Sequence, residues 1–546
     1  MPTRRRVHRP LAFFVGLLAA ALALPTISLA AVPAWDPAAD PAAFSLAATR
    51  PAQQDTLLRY ARDTWASLVA MTDPKSGLPA DRMSSAGVPS VETSTTNIGG
   101  YMWSTVVAEK LKIISHAEAV QRLDLVLDSL ETMERHWPDG QYYNWYDHNT
   151  LQKIAFGGLP RLSSVDNGWL ATGLHVVYTS VPAVAARAKA IYDSMDFGVF
   201  HRVVYPGGPN TDAEADALGK SGQRNAATYQ GQHLDRILFH IEPSTGNNPC
   251  CYDTMVSESR IATYIGIAKA ELPDSAYFGQ WRTFPDTCDW DWQETKPIGV
   301  DRTYEVQGAT NGQVTVFEGA YPYENYLTVP GWGGSMFEAL MPNLFVPEEK
   351  WAPQSWKVNH PGTVEAQIHH GLVDAQYGYW GFSPSDIPEG GYNVFGVDAI
   401  GMNSDGYPSN EDNTYVDHGF AGCRLPGQPA DPSPSAYTNG VVTPHAAFLA
   451  LRYAPKQAMT DLADLQAIPN MYGAWGFRDS VNVQTKHPDD FYLSLDQSIV
   501  MGAIGNALGH DMLRKAFATH EIQAALKPLM KMEQFGATKP HSKLLN

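Results

Sequence analysis

Glu258 and Asp166 stand where an acid can do chemistry. In "MVSESRIATYIGIA" the apolar residues Ile261, Ala262, Ile265 and Ala268 recur at three- and four-residue steps, and the stripe run back one turn puts the carboxylate of Glu258 on the apolar face. "SSVDNGWLATGL" repeats the arrangement, with Leu170, Leu174 and Val177 continuing the stripe from Asp166. Two acids at the mouths of inward-facing helices can flank one glycosidic bond, one protonating the leaving oxygen and the other deprotonating water or attacking directly. A helix dipole also favours a first-turn acid, so a capping role competes for Asp166. For Glu258 that role is weaker, because Ser257 is the better capping residue.

Other acids divide between roles. Glu338, in "GWGGSMFEALMP", lies beside Phe337 and Leu340 in a short apolar helix and points inward, to bind or to support. Asp496, in "LSLDQSIVMGAIGNAL", begins a stripe through Ile499, Val500 and Ala503 and reads first as a cap. The acidic loop "NSDGYPSNEDNTYVD" is rich in oxygen ligands but does not match the twelve-residue calcium loop, and there is no G-x-S-x-G nucleophile motif. The reading calls for no metal and no cofactor. Aromatics make up 11% of the chain, and many stand beside Gly in "GGYMW", "GQYYNWYD", "VPGWGG", "YGYWGFS" and "MYGAWGF". Most such rings serve the core, but rings in Gly-flanked loops, Trp332, Trp380 and Trp475 above all, suit the apolar faces of pyranoses.

Helices must position these groups. Periodicity predicts them over residues 53–71, 96–112, 116–136, 165–179, 183–195, 255–270, 441–451, 459–467, 495–507 and 511–532, joined by long Gly-, Asp- and aromatic-rich loops of the kind that carry function. "RVVYPG" and "TYEVQGATNGQVTVFEG" are strand-like, the second with a tight turn at "TNG". Ten helices with long loops fit an all-α toroid whose inner helices open onto a central cleft. A solenoid is the rival, but no fixed repeat period supports it.

The N-terminal "RRRVHR", the apolar "LAFFVGLLAAALAL" and the small-residue "SLA" ending at Ala30 form a secretory signal peptide with cleavage near Ala30, which predicts a periplasmic or secreted protein. The expected organisation is a signal peptide over 1–30, an extended Pro/Ala-rich lead-in over 31–50, one catalytic domain over 51–535 and a tail over 536–546. No later run approaches the roughly 20 apolar residues of a membrane span. The formal charge is -18, and loss of the four leader arginines takes it to -18 - 4 = -22. Such a surface repels phosphate backbones, so nucleic acid is excluded and a neutral polysaccharide or oligosaccharide is favoured as substrate. Oligomeric state leaves no signature. Cys250, Cys251, Cys288 and Cys423 are an even set for an oxidising compartment; the adjacent pair is not expected to bond to itself, so Cys288 or Cys423 is expected to bridge to one of the two.

Eight segments in order, "TNIGGYMWSTVVA", "SSVDNGWLATGL", "SESRIATYIGIA", "GWGGSMFEALMPNLF", "YGYWGFSPSD", "VVTPHAAFLAL", "YGAWGFRDSVN" and "LSLDQSIVMGAIGNAL", resemble the putative glucoamylase (glycoamylase-like) family from about Thr96 to Leu508. That family is similar to glycoside hydrolase family 144 and its β-1,2-glucanase relatives. The resemblance implies an (α/α)6 toroid with minor β-hairpin additions and an endo-acting, inverting hydrolase of β-1,2-glucan. It puts the general acid at Glu258 and aligns Asp166 with a cleft carboxylate that other members often supply as Glu. One branch places its base directly before the Asn-Gly preceding "VVTP", where this chain has Thr438; Asp166 is then the chosen base, with Asp386 and Asp412 in reserve. On this reading Tyr101, Trp103, Trp169, Trp332, Trp380 and Trp475 stack sugars, while Arg260, Glu338 and Arg478 bond hydroxyls. A hydrolase of another neutral glucan, a transglycosylase and a degenerate sugar-binding protein share these features; a lyase of acidic polymers is disfavoured by the charge.

Overall fold

The computed structural model describes residues 51–205, 229–286, 295–402, 440–541 and 543–545. Among them the helices are α1 (Pro51–Met71), α2 (Thr95–Lys110), α3 (His116–Thr132), α4 (Ser164–Ser180), α5 (Ala185–Ser194), α6 (Arg260–Ala268), α7 (Met336–Leu340), α8 (Glu348–Trp351), α9 (Trp356–His369), α10 (Pro444–Ala450), α11 (Pro455–Gln466), α12 (Ser494–Leu508), α13 (Met512–Phe517) and α14 (His520–Met532). Two kinds of helix sort themselves by sequence. Helices α2, α4, α6, α10 and α12 bury nearly every residue. A helix apolar all round must be covered on every side. By contrast α3 buries a single stripe through Ala119, Leu123, Val126, Leu127 and Leu130, and α11 and α14 do the same.

The arrangement satisfies both kinds. The inner helices follow one another around a ring, α12 to α2 to α4 to α6 and, on the other side, α12 to α10 to α7. The ring closes where Arg260 of α6 donates to the carbonyls of Glu338 and Ala339 in α7. Each inner helix carries an outer one: α1 on α12, α3 on α2, α5 on α4, α14 on α6, α9 on α7 and α11 on α10. This is the six-fold α/α toroid. Its tightest joint is glycine on glycine, since a methyl on Gly99 of α2 would lie 2.4 Å from the Trp169 carbonyl oxygen, and one on Gly173 of α4 would lie 2.6 Å from that of Gly99.

Short strands are added at the ends. Ile298–Glu305 and Gln313–Tyr323 form an antiparallel hairpin that turns at Asn311 and Gly312, both left-handed, as "TNG" predicts. Two helix boundaries differ from the periodicity. Residues 254–256 are drawn into bridges, Thr254 to Trp281 and Val256 to Gly331, so α6 starts only at Arg260 and Glu258 lies in the turn before it. The long helix expected to 532 is broken before Thr519, which is extended and caps α14. Helix α9 was not signalled at all, because Asn359, His360, Glu365 and Gln367 sit in its buried face and Pro361 interrupts it. No helix among the described residues is long and apolar enough to cross a membrane.

Cys250 and Cys251 open the short strand Cys250–Tyr252, which pairs with Leu234–Leu238. Cys288 and Cys423, their expected partners, fall outside the described residues, as do Asp412, Thr438 and the acidic loop at 403–417.

Candidate active site

Inner-helix N-termini supply the acids in a repeated way. Ser163 caps α4 by accepting from the Asp166 amide, and Ser335 caps α7 by accepting from the Glu338 amide, so both carboxylates stand three residues into an inner helix. Asp496 holds the same position in α12. The Ser163 hydroxyl already satisfies the end of α4, which frees the Asp166 side chain from capping. Its Oδ1 accepts from Thr96 Oγ1 at 2.6 Å, and its Oδ2 accepts at 2.7 Å from the Asn144 amide in its donating orientation.

Glu258 hangs from the turn before α6 with an edge open to the cleft. Its Oε2 accepts a short hydrogen bond from the indole Nε1 of Trp169. Beneath it, Glu338 Oε2 accepts from the Glu258 amide at 2.6 Å and from Ser257 Oγ at 2.9 Å. Burial, then the Glu338 charge, pushes the Glu258 carboxyl well above the usual carboxylate range; burial takes Glu338 up to about 7. Two adjacent acids cannot both ionise cheaply. The two donors on Glu338 favour its charged form, so Glu258 is the one that keeps the proton. Burial raises Asp166 as well, but Ser163, Thr96 and the nearby Arg161 favour its carboxylate.

Arg260 fixes this geometry from behind. Fully buried, it pairs with Glu348 at 2.7 Å and donates to the carbonyls of Ser257, Glu338 and Ala339 at 2.7–2.8 Å, tying the Glu258 turn to α7. Tyr264 and His360 complete the shell around Glu348, whose carboxyl is held down to about 2: burial works against this, and Arg260 and His360 prevail. Replacing Arg260 with methionine strands that charge, and a loss of about 3–5 kcal/mol is expected, read as a lower urea midpoint at unchanged slope.

A second carboxylate group gathers at the N-terminal end of α12. Asp479 Oδ2 accepts from the Asp386 amide at 2.7 Å, and Arg82 pairs with Asp386 at 3.1 Å. The buried carboxyls of Asp479 and Asp496 meet each other, with the His445 Nδ1 3.2 Å from Asp496 Oδ2. His445, Asp479 and Asp496 are close enough to share a cation, as are Glu324, His369 and Asp374 at the surface. Hydrogen bonding decides the first case: the Thr443 hydroxyl spends its proton on the Asp479 carbonyl at 2.7 Å, so it must accept at 2.8 Å from His445 Nδ1, which therefore carries hydrogen and is no ligand. Burial pushes both carboxyls up, Asp496 to about 7, and the Asp496 charge adds to the rise at Asp479. Tyr392, half exposed, pairs with Asp386 in a short antiparallel ladder, and its hydroxyl is pushed up by burial of that end and then by the charges of Asp496, Asp479 and Glu258.

These raised acids set a pH signature. Burial takes Glu338 and Asp496 up to about 7, and Asp81 and Asp489 up to about 6. A carboxyl raised in the folded state contributes stability that is complete below its unfolded pKa and lost as pH rises through its folded pKa. The depressed Glu348 gives its contribution above the carboxylate range and is flat there. The melting temperature is therefore expected to fall between about pH 5 and about pH 8, by several degrees in a scanning calorimeter.

The structure brings Glu258, Asp166, Trp169 and Glu338 together, but it reassigns several expected sugar-stacking rings. Tyr101 and Trp103 are fully buried: Tyr101 stacks on Trp65 and accepts from Arg122, and Trp103 donates to the Ser498 carbonyl and packs on Trp169 and Phe345. Trp169 is buried too and serves Glu258 by its indole N–H rather than a sugar by its face. Trp380 is buried against the outer helix α11, where its amide donates to Asp461. Arg260 is enclosed and cannot reach a hydroxyl. Trp332 is half-buried beside Tyr252 and Phe239; Trp475 and Arg478 are half-buried, Trp475 against Tyr492 and Gly87, Arg478 donating to the Asp489 carbonyl. Asp386 is buried on Arg82. Sequence reasoning missed Tyr252, which feels the charges of Glu258, Asp166 and Glu338, and Asp479; the shared helix position of Asp166, Glu338 and Asp496 was the signal available.

An α/α toroid with two groups of carboxylates at the N-terminal ends of its inner helices is the class this fold and site define. Residues 298–521 match the family model described as Putative glucoamylase, the family whose motifs the chain resembles. Residues 59–215 match a second model, described as a protein of unknown function (DUF3131). A putative glucoamylase from Bacteroides caccae shares the fold at TM-score 0.58 and 18% identity, over 87% of this chain and 98% of that one. An endo-β-1,2-glucanase from Chitinophaga pinensis, solved with sophorotriose and glucose, does so at TM-score 0.57 and 17% identity over 87% and 98%. The cyclic β-(1,2)-glucan synthase NdvB of Rhizobium meliloti is 22% identical across 87% of this chain, which spans only 18% of that protein's length.

Proposed function

We propose that this protein is an exported glycoside hydrolase that cleaves linear β-1,2-glucan, endo-acting and anomer-inverting, with Glu258 as general acid and Asp166 as base. The observation that carries it is the Glu258 carboxyl itself: hydrogen-bonded by Trp169 and set against Glu338, it is pushed well above the usual carboxylate range by burial and then by the Glu338 charge, while the residue keeps part of its surface exposed. An acid so poised protonates the leaving glycosidic oxygen as the bond breaks. Asp166, oriented by Thr96 and Asn144, takes a proton from the attacking water. Glu338 holds the Glu258 backbone through its amide. The β-1,2 linkage rests on likeness to the Chitinophaga pinensis glucanase and the Rhizobium meliloti synthase, and export on the leader before Ala30. The synthase likeness also favours a second reading, transfer of the glycosyl unit to a sugar hydroxyl instead of water. Thin-layer chromatography of products from a panel of linear glucans separates the two. Short linear oligosaccharides support hydrolysis, and products longer than the substrate or cyclic identify transfer.

A further inference from the structure

Outside the inner ring, between the turn that follows α9 and the outer helix α11, lies a cavity of about 210 Å³ that none of the cleft carboxylates touches. Leu372 and Trp380 give it an apolar wall; Lys456, Gln457, Thr460 and Asp461 give it a polar one. Two of those polar groups are unsatisfied. Asp461 is 4% exposed and its Oδ1 accepts from the Trp380 amide, while its Oδ2 has no partner; the buried Gln457 Oε1 has none either, although its Nε2 donates to the Leu544 carbonyl. Buried acceptors left bare are costly, and a small shift of either side chain toward the cavity lets it meet a ligand donor.

The balance of charge says what kind. Lys456 opposes a cation, and Asp464 opposes an anion. A neutral polyhydroxyl molecule suits both, since each hydroxyl can donate to Asp461 Oδ2 or Gln457 Oε1 and accept from Lys456 or Thr460. One apolar wall opposite a polar one matches a pyranose, whose ring face is C–H and whose rim is hydroxyl. We propose that this cavity is a non-catalytic binding site for a single pyranose unit of a neutral glycan, separate from the cleft. Burial keeps Asp461 well above the usual carboxylate range, which lets its protonated oxygen donate as well.

Photo-crosslinking of the full chain with a diazirine-bearing glucoside, followed by peptide mapping, tests this. Label is expected on the peptides spanning 370–381 and 455–466 as well as on cleft peptides. Thr460 is exposed at the rim, so Thr460→Trp fills the cavity from outside; it should cut the outer label about tenfold or more and leave the cleft label in place. Gln457→Leu, which removes one bare acceptor, should weaken the outer label in the same direction. Label confined to cleft peptides, or outer label unchanged by Thr460→Trp in a protein of native melting temperature, overturns the proposal. Neither result depends on turnover, so failure of the hydrolase reading would show separately, as a native protein that labels at the cavity but cleaves nothing.

Discussion

Glu258→Gln is expected to lower turnover on β-1,2-glucan by about 10²–10⁴-fold, the range a positioned proton donor contributes, while leaving the far-UV circular dichroism unchanged. Glutamine keeps the shape of the side chain and can still accept the Trp169 N–H through its carbonyl oxygen. Only the transferable proton is lost. The Glu258 amide that donates to Glu338 is untouched by the substitution, so the fold should not suffer. A purely structural Glu258 would behave the other way, with stability reduced by about 1 kcal/mol and turnover spared. With the native protein, the alkaline limb of kcat/KM should follow loss of the Glu258 proton, and an activity that rises steadily with pH through that limb would contradict the assignment.

Asp166→Asn is expected to cost about a hundredfold in turnover, the lower end of the same range. Thr96 and Asn144 both donate to the native carboxylate. An asparagine can turn its oxygen to only one of them, and it cannot take a proton from water. Because Ser163, not Asp166, accepts the hydrogen bond that caps α4, the melting temperature should fall only modestly. Near-normal turnover with a markedly lower melting temperature would identify Asp166 as a structural group and move the base to the Asp479 and Asp496 pair or to Asp386.

The helical ring was legible because its inner helices are apolar on every side and its outer ones on a single stripe, a contrast that periodicity reads directly. Helix α9 escaped because His360 and Glu365 are buried there among apolar neighbours, and His360 is fixed by Glu348 from another element. Glu258 was found for a reason that was partly wrong. Its stripe position implied a helix, yet bridges at Thr254 and Val256 hold it in the preceding turn, and what turns it inward is Trp169 and the Arg260 tie to α7. Gly-flanked aromatics misled at Tyr101, Trp103 and Trp380, because a glycine beside a ring marks close helix packing as readily as an open loop; Gly99 against Trp169 is an instance. The Asp479–Asp496 pair could not be read locally, since the residues come from different elements and their carboxyls are pushed up only when both are buried.

Release of reducing ends from linear β-1,2-glucan by the purified chain, without added metal, tests the central claim most directly. The account predicts short β-1,2-linked oligosaccharides from the native protein and almost none from Glu258→Gln. Full activity of Glu258→Gln on that glucan, or no cleavage of it by a folded native protein, would contradict it.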